Sequence, residues 1–221
     1  MKLSKPTLAT LKNFANISSN LLITPGSVLK TRSVQNTIFA TTTIADEFPI
    51  EFPIYELNEF LGVISLFSNP ELEFNEKGQY VKIFEGQNSI KYFAADKSVI
   101  SYPTKDIKFP EPEISFKLSA DNLAQIQKTS SVLRAPDISF VGTDGKLLLV
   151  VSDKKNATSN AFEVAFGETE FTFKINIKVE LLKLASTDYT VYVSSKKVAK
   201  FDADDSDLEY FLGVENDSVF E

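Results

Sequence analysis

Histidine and cysteine are both absent, so any chemistry in this sequence must come from carboxylates, ammonium groups, hydroxyls and phenols. Their absence removes the commonest general base, the thiolate nucleophile and most zinc sites. It also removes disulfides, and the chain suits a reducing compartment. The densest carboxylates are Asp202, Asp204, Asp205 and Asp207. They suggest a calcium loop, but no glycine follows at the sixth position and no glutamate at the twelfth, so they read as a solvated acidic turn. GTDGK at 142–146 has the wrong spacing for a phosphate-binding loop, and neither G-x-G-x-x-G nor G-x-S-x-G occurs. The cations are placed unevenly. From Met1 to Ala45 the chain carries Lys2, Lys5, Lys12, Lys30 and Arg32 and no acid, whereas from Phe201 onward it is acidic without a base, ending at Glu221. The net charge of −7 argues against phosphate binding when taken whole. Its asymmetry still lets an acidic protein present a basic surface.

Two helices must position the first of these cations. KLSKPTLATLK at 2–12 is echoed by KLSADNLAQIQK at 117–128, about half a chain later. FPIYELNEFLGVISL at 52–66 is echoed more loosely by FKINIKVELLKLA at 173–185, so the chain reads as a duplicated domain. Ser4 and Ser119 stand where N-caps belong, and Pro6 falls in a first turn. At helical spacing Leu8, Leu11, Phe14 and Ala15 share one face, and Lys5, Ala9, Lys12 and Asn16 the other. In the second copy Leu123, Ile126 and Leu133 point inward and Ala124, Lys128 and Ser131 outward. Each outward face fits a sparsely basic surface, but taken by itself it reads more readily as an ordinary surface helix with solvated lysines. A further helix is predicted over 56–68, with Leu57, Phe60, Leu61 and Ile64 buried and a base-free face of Asn58, Gly62 and Ser65. Its counterpart is predicted over 177–185, with Lys178 and Lys183 off the apolar stripe. Strands are predicted at 79–84, 89–93, 138–141, 146–152, 161–166, 170–175, 189–194 and 208–214. Asp144-Gly145 marks a hairpin, as do Lys77-Gly78 and Gly86. The tandem EFPI at 47–54 reads as an edge strand or a connector. Proline-rich 94–113 reads as a linker between domains 1–108 and 114–221.

The duplicated basic helices in an acidic chain resemble DNA sliding clamps, in particular those of T-even-type bacteriophages. MKLSK and LKNFA near the start, YELNEFLGVISL at 55–66, AADKS at 94–98, KDIKFP at 105–110 and AKF at 199–201 carry the resemblance. It implies an α+β clamp fold: two similar domains per chain, each with two helices on antiparallel sheets, and a homotrimeric ring of six domains. It implies no enzyme and no cofactor, but a processivity factor that encircles duplex DNA and tethers the replicative polymerase. Lys5, Lys12, Lys128, Lys178 and Lys183 are then the expected DNA-facing residues, with Arg134 and Lys2 beside them. A pocket including Tyr102, Ile107, Phe109 and Pro110 is expected to take the polymerase C-terminal peptide. An ATP-dependent clamp loader, and a sigma-like factor with a co-activator for late transcription, are the further partners implied, in the cytoplasm of an infected bacterium. The competing readings are a β-rich tail or capsid component and a carboxylate-based enzyme.

Overall fold

Both serines read as caps begin helices. In the computed structural model, which describes residues 1–220, the chain divides into two compact units, 1–106 and 107 onward. Glu221 lies outside the described residues.

The first unit opens with α1, Lys5–Ile17, where Ser4 Oγ accepts from the Thr7 amide at 3.3 Å. Capping an otherwise unpaired helix amide is worth about 1 kcal/mol. Thr7, Leu11, Phe14 and Ile17 recur at helical spacing and are buried. There follow β1 (Leu21–Ile23), β2 (Gly26–Arg32), β3 (Ile38–Phe48), β4 (Phe52–Ile54), α2 (Leu57–Ser65), β5 (Glu71–Phe74), β6 (Tyr80–Glu85), β7 (Asn88–Phe93) and a 3-10 turn, Lys97–Val99. β1 pairs with β4, β2 with β3, and β5, β6 and β7 form a meander, all antiparallel. Gly78 and Gly86 turn the meander at φ of 67° and 61°. α1 packs on α2 and on β3. α2 buries Leu57, Phe60, Leu61 and Ile64 as predicted, but ends three residues early. The reason is Glu85, whose carboxylate accepts from the Ser68 and Asn69 amides, each at 3.0 Å, and holds that segment outside the helix. The tandem EFPI spans the end of β3, a short turn and β4; its two phenylalanines, Phe48 and Phe52, are buried, and their rings meet Phe74 edge-on at 6.0 and 5.4 Å.

The second unit comprises β8 (Ile114–Leu118), α3 (Ala120–Leu133), β9 (Asp137–Thr143), β10 (Lys146–Ser152), β11 (Phe162–Glu168), β12 (Phe173–Lys178), a 3-10 turn (Val179–Leu181), β13 (Tyr189–Ser194), β14 (Val198–Ala203), β15 (Glu209–Gly213) and β16 (Val219–Phe220). Ser119 Oγ caps α3 by accepting from the Asn122 amide at 3.2 Å. One sheet runs β11-β10-β9-β12-β16, and β15-β14-β13-β8 are paired in that order. Asp144 and Gly145, both at positive φ, make the tight β9–β10 turn that their sequence predicts. Phe116 joins the β8 side to Phe140 at 4.9 Å and stacks on Phe173 at 6.4 Å.

Two expectations fail in this unit. Residues 177–185 form no α-helix, so α3 has a single 3-10 turn as its counterpart. Ile175 and Ile177 alternate into the core as strand residues, with Ile177 opposite Ile138. Ala185 is then fixed from both sides, its amide donating to the Tyr210 hydroxyl and its carbonyl accepting from that of Tyr189. The inward face of α3 also ends on Ser130 rather than Leu133. Ser130 Oγ donates to the Ala135 carbonyl at 2.7 Å, and this closing turn draws it inside.

Candidate nucleic-acid interface

α1 turns Lys5, Ala9, Lys12 and Asn16 to solvent, opposite its buried stripe. Its first turn is tied down, because Asp46 of β3 accepts from the Ser4 amide at 2.8 Å and hydroxyl at 2.7 Å. Burial pushes the Asp46 carboxyl up, but hydrogen bonds from Thr7 and Ser4 outweigh it and leave the group below its ordinary value. Neither Lys5 nor Lys12 pairs with a carboxylate among the described residues.

α2 exposes Asn58, Glu59, Gly62 and Ser65, which adds an acid to the base-free face. α3 exposes Ala124, Gln125, Lys128, Ser131 and Val132, with Asp121 in its first turn. Gln125, which the apolar pattern does not single out, stands one helical turn before Lys128, and that spacing is the signal for it. α3 ends at Arg134, which takes the left-handed cap conformation at φ 53° and is exposed. Lys128 and Arg134 form no ion pair with a described residue.

Lys178, Lys183 and Lys2 differ. Lys178 closes β12 rather than lying on a helix, and its ammonium donates to Asp137, whose side chain is 1% exposed. Lys183 is exposed beyond the 3-10 turn. Lys2 lies 3.7 Å from Glu71 at the surface, where such pairs contribute little.

The four connector residues divide between the units. Tyr102, in the first, is half-buried beneath Lys97, which sits 5.5 Å from the ring centre and pairs with Glu51 at 2.6 Å. The same segment is fastened to β2 through Lys30–Asp106 at 2.5 Å and Arg32–Ser101 at 3.4 Å. In the second unit Ile107 is exposed, Pro110 is half-buried, and the Phe109 ring lies 6.1 Å from that of Phe211. Among the described residues no group of three or more acidic side chains could hold a metal ion. No described helix is long and apolar enough to cross a membrane.

Residues 2–102 match the DNA polymerase processivity factor family, and residues 115–216 match the gp45 sliding clamp C-terminal family. The sliding clamp of Escherichia phage RB69 is 32% identical over 99% of this chain and 99% of its own. The chain belongs to the sliding clamp family. Sliding clamps of Vibrio phage KVP40 and Enterobacteria phage T4 are each 31% identical, over 97% and 99% of this chain and 99% of theirs. Among solved structures, the proliferating cellular nuclear antigen of Entamoeba histolytica aligns with a TM-score of 0.70 at 11% identity, covering 94% of both chains. That of Thermococcus kodakaraensis gives 0.69 at 13%, covering 96% of both. At such identities the likeness is one of fold, and it is the α+β clamp fold. This clamp is accordingly a processivity factor and a scaffold rather than an enzyme, and a tail or capsid role is not favoured.

Proposed function

We propose that three copies of this clamp close into a ring around duplex DNA, with α1 and α3 facing the phosphates. The observation that carries the reading is the pair of outward helix faces on which Lys5, Lys12 and Lys128 stand without a carboxylate partner among the described residues, surrounded by small and uncharged side chains, in a chain of net charge −7. Topological linkage retains the DNA, so the protein need not grip it. A sparse lysine lining, screened beyond roughly 8 Å, contacts phosphates without reading sequence. The acid-rich remainder keeps DNA off the outer surface. β7 and β11 suit the joints, because their outer edges meet no other described strand. β7 presents Lys91, and β11 presents Glu163 and Glu168. A head-to-tail pairing of these two edges closes a ring.

In the same reading, polymerase docks through a C-terminal peptide on the second unit, at a surface that includes Ile107, Phe109 and Pro110. A clamp loader opens the ring with ATP, since no phosphate-binding loop stands in this sequence. The site of action is the cytoplasm of the infected host, and late transcription through a sigma-like factor and co-activator is a second use of the ring.

Lys5, Lys12 and Lys128 changed together to Glu should leave the melting temperature unchanged and abolish processive synthesis on primed circular DNA. Full processivity in that variant would remove these lysines from the DNA face. Ile107→Ala should weaken binding of the polymerase C-terminal peptide about tenfold by titration, with ring assembly intact. Unchanged affinity would place the docking surface elsewhere.

A further inference from the structure

Lys178, expected from the sequence to face DNA, has its charge met by a buried carboxylate, that of Asp137. Asp137, the first residue of β9, stands directly across the ladder from Lys178, the last of β12. Both of its oxygens are committed: one accepts from the Lys178 ammonium, the other from the Lys154 amide at 3.2 Å. The Asp137 side chain is 1% exposed, while that of Lys178 is 24% exposed. Only three residues earlier, Arg134 ends α3 with its guanidinium unpaired among the described residues. A cation and a buried anion thus stand three residues apart in the chain, and only the first is left open to solvent.

The manner of neutralisation matters. An exposed acid such as Glu59 would place negative potential in front of a passing phosphate. A buried acid cancels the lysine from behind and offers the phosphate nothing to repel it. Its own desolvation also demands the lysine, since a buried carboxylate without a partner is strongly unfavourable. Lys178 therefore cannot leave for a phosphate without stranding Asp137.

We infer that Asp137 withholds the Lys178 charge from DNA and thereby limits how strongly the second unit holds the duplex. The inference rests on the proposed DNA-facing assignment. Asp137 is a positioning residue that acts through Lys178. Asp137→Asn keeps an oxygen for the Lys154 amide and removes the charge that detains the lysine.

The experiment is a titration of the full-length clamp with a short duplex across a series of salt concentrations, with melting temperature followed in parallel. Each phosphate neutralised adds about 0.9 to the slope of log affinity against log salt. D137N should steepen the slope by about that amount, and D137N/K178Q should return it to the wild-type value. K178Q alone should lower the melting temperature and leave the slope unchanged, whereas K128Q should flatten the slope without destabilising. This second pair remains decisive even if D137N fails to fold. An unchanged slope in D137N, a steepened slope that survives in D137N/K178Q, or a K178Q slope flattened like that of K128Q would each overturn the inference. If K12E and K128E also leave DNA binding unaltered, the DNA-facing reading itself fails. If those two weaken binding while D137N does nothing, that reading stands and only the role of Asp137 falls.

Discussion

Gly142 has no room for a side chain. A Cβ there would sit 2.3 Å from the Phe171 carbonyl oxygen and 2.7 Å from the Phe173 ring. The oxygen belongs to backbone and cannot swing aside, so Gly142→Ala should destabilise by at least ~2 kcal/mol in urea unfolding. A smaller loss would mean that the segment before β12 yields easily. Single carboxylates set the response to acid. The Lys154 ammonium holds Asp217 below its ordinary value, and hydrogen bonds from Ser195 do the same for Glu113. A folded value below the unfolded one gives stability that is full above the unfolded pKa, about 4, and lost as pH falls through the folded one. Lys154 and Lys200 are both raised: burial pushes each down, but their carboxylate partners outweigh it. Their contribution is full below the ordinary lysine value and lost only as pH rises through the folded one. With no histidine between these limits, the melting temperature should be nearly flat from about pH 6 to 9 and fall below about pH 4. Asp217→Asn should make the acid limb shallower, and an acid limb of unaltered steepness would place the protons on other groups.

At the level of elements, the sequence is legible wherever local pattern and tertiary demand agree. β10 is a continuous apolar run, Leu147 to Val151, bounded by Lys146 and Ser152, β13 sets buried Tyr189, Val191 and Val193 two residues apart, and the bounds of both are readable to the residue. The caps at Ser4 and Ser119 are equally plain, because capping is settled within four residues. β3 is not. Thr41, Thr42 and Thr43 interrupt its apolar pattern, although Ile38, Phe39, Ala40, Thr42, Ile44 and Phe48 are all buried. The 3-10 turn at 179–181 reads as part of a longer helix because Leu181 and Leu184 share helical spacing with Ile177. The decisive hydrogen bonds to Ala185 come from Tyr189 and from Tyr210, the latter 25 residues away. The outward lysines of α1 and α3 are legible from spacing. The fate of Lys178 is not, because its carboxylate is 41 residues away in sequence.

For the whole molecule, the proposed ring makes mass the first observable. Light scattering should give about three times 24.6 kDa for the wild type. Lys91→Glu or Glu163→Lys alone should shift the distribution toward monomer, and the two together should restore the trimer, because both edge charges are then exchanged. Failure of the double variant to reassemble would mean that these residues do not face one another across the joint. The anchoring of α1 has a mechanical side. In the proposed ring, a polymerase advancing with its clamp would drag phosphates past Lys5 and Lys12, and whatever tangential load they caught would run along α1 to its first turn. A helix end is ordinarily where such load peels a chain away, one amide at a time. Here Asp46 grips both the amide and the hydroxyl of Ser4 from within an eleven-residue strand. The pull would thus pass into β3 and, through its pairing with β2, into the sheet.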